Sequence, residues 1–307
     1  MENLGIANSR RLSKAYNSIR YAKRRREHDI AFLHFEELLD SNREQLGESK
    51  IDPVVHIEDG YAIDRSGTLP HLDRLMEEGG QIIDRIAERG RSDTQRPYFR
   101  NLLFPGDARE YRSIMDFATS SAMLKTVGDY MGQIPMMSLT RPPGLRMMES
   151  NKNLDDRVDP PLEASQLFHL DLHDTKMVYV VVLADDVTEE SGPWSFLPAS
   201  VSSRAQKAMD YQKRGEAYRI PDEEMYSHVS PDELIVFTGK KGDVLFIDSS
   251  RCFHYGSRKA VRPRFLIMYG YTTTCRADLT LTYLDQYPFP TNPEDSELRQ
   301  LVTRPLQ

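Results

Sequence analysis

Within Phe168-His169-Leu170-Asp171-Leu172-His173-Asp174, a stretch that reads as a β-strand, His169 and Asp171 stand two apart and leave the same face of the chain. An imidazole and a carboxylate are thereby set side by side. Asp171 lies among Leu and Phe, where a charge is costly unless it is paired or bound to a cation. A metal ion would be such a partner. His254, 83 residues beyond Asp171, follows a Gly242-Asp243 turn and the apolar run Val244 to Ile247. Two imidazoles and one carboxylate form the facial set that holds non-haem Fe(II) and leaves the opposite positions for a bidentate cosubstrate and O2. Ten residues past His254, Arg264 opens the run Phe265 to Tyr271. A guanidinium there can grip a carboxylate through two parallel hydrogen bonds.

Taken in order, His169-x-Asp171, Ser191-Gly192-Pro193-Trp194-Ser195-Phe196-Leu197-Pro198-Ala199-Ser200, Gly242-Asp243-Val244-Leu245-Phe246-Ile247, His254 and Arg264 resemble the Fe(II)/2-oxoglutarate-dependent oxygenases of the phytanoyl-CoA dioxygenase type. The likeness runs from about Leu124 to Tyr271, roughly half the chain. It implies a double-stranded β-helix, iron on His169, Asp171 and His254, the distal carboxylate of 2-oxoglutarate on Arg264, and O2 as the other cosubstrate. The activity implied is hydroxylation of an unactivated carbon in a small, lipid-linked or sugar-linked substrate. Desaturation or ring closure needs only a different substrate pose. Halogenases of this class carry a small residue where the carboxylate stands, and here Asp171 is present. The family commonly ends its middle motif in Pro-Gly-Ser-His, whereas this chain reads Pro198-Ala199-Ser200-Val201. Arg262 is a second candidate for the carboxylate, since it would share the face of Arg264 on an extended strand; the spacing from His254 favours Arg264. A lone H-x-D occurs by chance in many chains, but strand context, the Gly-Asp turn, the second histidine and the arginine agree with one another. Two other readings stay open: a cupin-like metal-dependent hydrolase or isomerase, in which Arg264 would lack a task, and a non-catalytic jelly-roll module that binds a ligand.

Three further residues join Arg264 as candidates for binding the cosubstrate. Lys176 opens the strand after the H-x-D segment and could reach an anion. Arg146 sits on a methionine-rich strand, where an inward guanidinium would be costly without an anion. Ser257, following Gly256, could donate to a carboxylate held at Arg264. His173 lies four residues from His169, about 13 Å by strand rise and too far to share its metal, so it reads as a rim or substrate residue. His28, His34, His56, His71 and His228 have no ligand spacing and read as solvated or capping groups.

These groups need a scaffold, and 307 residues at 39% hydrophobic content suffice for one large domain or two small ones. The longest apolar run, Met177 to Ala184, is far short of the ~20 residues of a membrane-spanning helix. Two cysteines, Cys252 and Cys275, are too few for a disulfide framework, and no charged start leads into an apolar signal core. A reducing, cytoplasmic setting is therefore expected. A net charge of −7 argues against a general nucleic-acid partner. Yet Asn3 to Arg26 holds Arg10, Arg11, Lys14, Arg20, Lys23, Arg24, Arg25 and Arg26 and no acid. That stretch reads as a solvated helix laid on the domain through Leu12, Tyr16 and Ile19. Its other reading, over residues 10–26, is a peripheral docking face for membrane phosphates, a CoA-like substrate or an acidic partner. An acid-poor, Arg-rich start also resembles an organelle transit peptide.

Helical periodicity marks Phe32 to Gln45, Leu72 to Ile86 and Asp107 to Tyr130, with Ser120 or Ser121 as a cap and Gly132 as the stop. From Ile134 onward the texture changes to short β-branched and aromatic runs: Ile134 to Leu139, Leu145 to Met148, Leu167 to Asp171, Met177 to Leu183, Trp194 to Leu197, Leu234 to Phe237, Val244 to Ile247, Cys252 to Tyr255 and Phe265 to Tyr271. The expectation is a mainly β fold with flanking helices, closed as a double-stranded β-helix of the jelly-roll or cupin kind. It divides into a helical region over 1–132, a β core over 133–275 with an insertion at 200–230 long enough to form a lid, and an extension over 276–307 with a short helix near Glu294 to Val302.

Overall fold

A computed structural model describes residues 10–49, 55–91, 96–138, 144–211, 219–274, 289–290 and 292–304. Its strands are β1 (Tyr61–Asp64), β2 (Phe99–Asn101), β3 (Met136–Met137), β4 (Leu145–Ser150), β5 (Met177–Leu183), β6 (Trp194–Phe196), β7 (Ile235–Phe237), β8 (Val244–Asp248), β9 (His254–Tyr255) and β10 (Arg264–Thr272). Every pairing is antiparallel. The larger sheet runs β1-β8-β5-β10-β4-β2 with β3 on β10, and the smaller runs β7-β6-β9. Bridges from His169 to His254 and from Phe168 to Ile220 extend the smaller sheet at its β9 edge. From β4 onward the chain passes between the sheets, larger, smaller, larger, then twice smaller, then larger, smaller, larger. That path is the jelly-roll winding expected from the spacing of the runs.

Side-chain alternation on β5 and β10 separates two cores. Val178, Val180 and Val182 join Phe265, Ile267 and Tyr269 against the helical layer. Tyr179, Val181 and Leu183 join Leu266 and Met268 between the sheets. Both faces of β5 are buried, which is why it is the longest apolar run in the chain. The helix Leu72–Asp84 lays Leu72, Leu75, Met76 and Ile82 into the outer core at helical spacing. In Ser121–Met131 the Ser120 hydroxyl accepts from the Met123 N–H, and Gly132, with φ 70°, closes the helix in a left-handed turn that favours glycine. Short strands β1 and β2 come from the stretch read as helical and flank the larger sheet; three or four residues carry too little pattern to stand out. No described helix is long and apolar enough to cross a membrane.

The basic stretch differs from its expected packing. It forms the helices Arg10–Arg20 and Ala22–Phe32, with Leu12 52% and Ile19 80% exposed and Tyr16 half-buried. Asn17, Arg24, His28 and Ala31 are buried instead. Arg24 donates to the carbonyls of Leu301 (2.9 Å) and Arg304 (3.4 Å), satisfying the carboxyl end of the helix Glu297–Thr303. The insertion is not a free flap in its described part. Its helices Ala199–Ala208 and Asp222–Tyr226 bring Val201, Ala205 and Met225, with Ile220 between them, onto Phe168 and Phe253, covering the smaller sheet. Residues 212–218 and 275–288, including Cys275, lie outside the described residues.

Neither His28 nor His71 is a solvated residue. His71 lies 3.1 Å from a Glu48 carboxylate oxygen. His28 is fully buried, donates through Nδ1 to the Ile134 carbonyl at 3.1 Å, and has no partner for Nε2. Burial pushes its pKa down to about 4, with the Arg24 charge acting the same way against the Ile134 bond. Below pH 6.5 the unfolded chain takes up a proton that the folded state refuses, so stability falls as pH drops from 6.5 to 4, by about 3 kcal/mol in all. His28→Gln should flatten that part of the profile. Urea midpoints measured across this window should decline more steeply for the parent protein than for the variant, and parallel declines would refute the assignment.

Candidate metal centre

His169 and His254 exchange both backbone hydrogen bonds, at 3.1 and 3.0 Å, so their side chains emerge together and their ring centroids lie 4.2 Å apart. Each imidazole is oriented by the carbonyl two residues before it: His169 Nδ1 donates to Leu167 at 2.8 Å and His254 Nδ1 to Cys252 at 3.0 Å. That places the proton on Nδ1 and turns each Nε2 lone pair inward, the arrangement a metal-ligating histidine needs. Phe168 and Leu170 go to the opposite face and are buried under the insertion, which leaves His169 and Asp171 on the inner one. The Asp171 N–H donates to the Ser249 carbonyl at 2.9 Å, and its Oδ2 lies 3.5 Å from His254 Nε2. The three donor atoms fall within 4.8 Å of one another. Among the described residues no other group of His, Cys, Asp or Glu could hold a metal ion.

Protonation favours ligation. Burial, helped by the neighbouring His254, holds His169 well below its ordinary pKa and keeps it neutral. For Asp171, burial works against the charge, but the neighbouring imidazoles of His254, His169 and His173 outweigh it, so the carboxyl lies well below the usual range. Imidazole nitrogens with their lone pairs turned inward and one anionic oxygen suit a divalent first-row metal.

A cavity of about 190 Å³ opens beside these donors. Trp194 stacks on His254 at 5.1 Å and 21°, Tyr179 follows Trp194 at 5.9 Å, and the Arg146 guanidinium lies 5.3 Å from the Tyr179 ring centre. Arg146 is therefore turned inward. Arg264, at the start of β10, shares the inward face with Leu266 and Met268 and is 5% exposed. Its guanidinium donates to the Gly192 carbonyl and to the Ser257 hydroxyl (2.8 Å), both uncharged, and it has no ion pair among the described residues. Burial lowers its pKa to about 10. Three donors on the cavity wall, Arg264 Nε, Arg146 Nε and Trp194 Nε1, are buried without a hydrogen-bond partner. A buried cation among orphaned donors is unfavourable until an anion arrives.

The remaining sequence candidates part company here. Ser257 lies in the cavity, its hydroxyl on Arg264 and its N–H on the Gly192 carbonyl at 3.1 Å. Arg262 precedes β10, points to solvent and pairs with Glu190 at 2.9 Å, so it does not share the inward face. Lys176 does not line the cavity: its ammonium donates to the carbonyls of Tyr130 (2.9 Å) and Met131 (3.0 Å), the end of the helix Ser121–Met131. The reason is strand alternation, since Lys176 has the parity of Val178, which faces the helices. His173 does not line the cavity either. At Pro198-Ala199-Ser200-Val201 the chain starts a helix whose first turn is capped from outside, Asp59 accepting from the Ser200 N–H at 2.7 Å and hydroxyl at 2.6 Å, while Val201 is buried. Arg96 and Arg219 also line the cavity. Neither stands in a motif or at a spacing that marks it in the sequence.

No protein-family model and no curated protein matches the chain. Among solved structures it is similar to HygX from Streptomyces hygroscopicus with nickel and 2-oxoglutarate bound, at 14% identity and a TM-score of 0.44 over 70% of this chain and 83% of that one. It is also similar to EctD from S. alaskensis with 2-oxoglutarate and 5-hydroxyectoine, at 16% identity and a TM-score of 0.47 over 80% and 91%. Likeness at this level carries no weight for chemistry, which rests on the side chains above.

His169→Ala, Asp171→Ala and His254→Ala should each abolish stoichiometric binding of Mn(II) or Ni(II), read by calorimetry on metal-stripped protein. His173→Ala should leave the stoichiometry at one. Retention of full uptake by both histidine variants would refute the metal centre.

Proposed function

We propose that this protein is a non-haem Fe(II)- and 2-oxoglutarate-dependent dioxygenase that hydroxylates an unactivated carbon of a small molecule. The observation that carries the reading is the pairing of two sites in one cavity: three convergent metal donors, and a buried guanidinium with no counter-ion. His169, Asp171 and His254 would hold the iron. Arg264 would hold the far carboxylate of 2-oxoglutarate, with the Ser257 hydroxyl beside it. When bound, iron and 2-oxoglutarate would supply, with O2 as the oxidant, an oxidative decarboxylation to succinate and carbon dioxide and the oxidising power to take hydrogen from carbon.

The chain's own part is geometry and exclusion. The Leu167 and Cys252 carbonyls keep the imidazoles in one tautomer and orientation. Trp194, buried against His254, and Tyr179 behind it form an aromatic wall that keeps water from that side. Asp171 fills the place that halogenases leave open for chloride, which favours hydroxylation. The hydrolase or isomerase reading would use the same three ligands, but it gives the Arg264 charge no purpose.

Under anaerobic conditions the protein should take up one Fe(II) and develop a visible absorbance band only when 2-oxoglutarate is added. His169→Ala and His254→Ala should lose the band. Arg264→Ala should keep the iron and raise the 2-oxoglutarate needed by about 30- to 150-fold, the equivalent of ~2–3 kcal/mol for a lost bidentate charge-assisted contact. Arg262→Ala should behave as the parent; if it alone reproduces the shift, Arg264 is the wrong residue.

A further inference from the structure

The cavity lining holds four guanidiniums, from Arg96, Arg146, Arg219 and Arg264, and one carboxylate, Asp171. A divalent ion beside Asp171 and a dianionic cosubstrate on Arg264 would leave the lining with a surplus of positive charge. Like charges are not gathered in a partly desolvated space without a partner.

Arg219 is the residue placed to receive that partner. Its neighbour Ile220 pairs with Phe168 through two backbone bonds, 3.1 and 2.9 Å, and both side chains go into the core beneath the insertion. Arg219 has the opposite parity and therefore emerges on the face that carries His169, one strand away. It is half-buried and makes no hydrogen bond or ion pair among the described residues. Burial depresses its pKa, the Asp171 charge raises it, and the Arg96 charge depresses it again, so all three groups lie within electrostatic reach. Arg264 is buried, whereas Arg96 and Arg219 are half-buried.

We propose that the molecule oxidised is an organic acid, whose anionic group is seated on Arg219, so that the carbon to be attacked faces the metal donors. Arg219 is then a specificity-determining residue, and an uncharged substrate of the same shape is rejected because it desolvates the half-buried guanidinium without pairing it. This deepens the dioxygenase reading and rests on it.

The test uses Ni(II)-loaded protein saturated with 2-oxoglutarate, so that Arg264 is already occupied, and titrates it calorimetrically with benzoate, phenyl phosphate and benzamide. One of the two anions should bind at one site per chain and benzamide should not; which anion binds separates carboxylic acids from phosphate esters. Arg219→Gln should weaken that binding at least tenfold, Arg219→Lys should restore part of it, and 2-oxoglutarate affinity should stay within twofold of the parent in both. Equal binding of benzamide, no binding by either anion, or an Arg219→Gln variant that binds like the parent overturns the proposal. If the parent takes up neither Ni(II) nor 2-oxoglutarate, the dioxygenase reading fails first. An unchanged melting temperature of Arg219→Gln confirms that the variant is folded.

Discussion

Two backbone hydrogen bonds between His169 and His254 hold the site together. They join segments 85 residues apart, add the H-x-D strand to the edge of the smaller sheet, and thereby put two imidazoles in contact. The orientation of each ring then follows from its own chain, because the carbonyl two residues earlier takes the Nδ1 proton. Asp171 arrives on the same face by alternation, and Arg219 arrives beside it because Ile220 pairs on the far side of Phe168. A shift of one residue in that register would send His169 and Asp171 into the apolar core under the insertion and bring Phe168 and Leu170 to the cavity. The apolar residues between the ligands are in this sense as decisive as the ligands, since Phe168 and Leu170 penalise any other register.

Much of this was legible in order and parity. The H-x-D spacing, the strand after Gly242-Asp243 and the distance from His254 to Arg264 correspond to one cavity wall, and the β-branched runs correspond to the strands of the jelly roll. What escaped reading has physical causes. Strands β1 and β2 are short pieces at the sheet flanks, embedded in helical sequence. Lys176 is close to His169 in sequence, but its parity with Val178 directs it outward to a helix end. His28 and Arg24 sit in a stretch whose dense positive charge suggested solvent, yet one is a core histidine and the other closes a distant helix. Arg96 and Arg219 carry no local signature, because their meaning arises only when a loop and the end of an insertion meet the metal donors.

The buried guanidinium of the cavity, Arg264, is fixed by Gly192 and Ser257, neutral groups that set its geometry without neutralising it. The Gly192 carbonyl also accepts from the Ser257 N–H, so the turn before β6, the turn after β9 and the start of β10 meet at one oxygen. Gly192 adopts φ 64°, and a Cβ there would come 2.6 Å from the Arg258 carbonyl oxygen, so the turn that supplies this oxygen requires glycine. Position and charge of Arg264 are thus built into the fold before any anion binds, which is the preorganisation a charged cosubstrate site calls for.

Trp194 is the single tryptophan of the chain, and it stacks on one of the three metal donors. The protein therefore carries an intrinsic fluorophore at van der Waals distance from its own candidate reaction centre. Its emission is unmixed with that of any other indole, and a paramagnetic ion arriving at His254 would quench it directly. Occupancy of the centre can be followed in unlabelled protein, in real time and at micromolar concentration, by light from one residue.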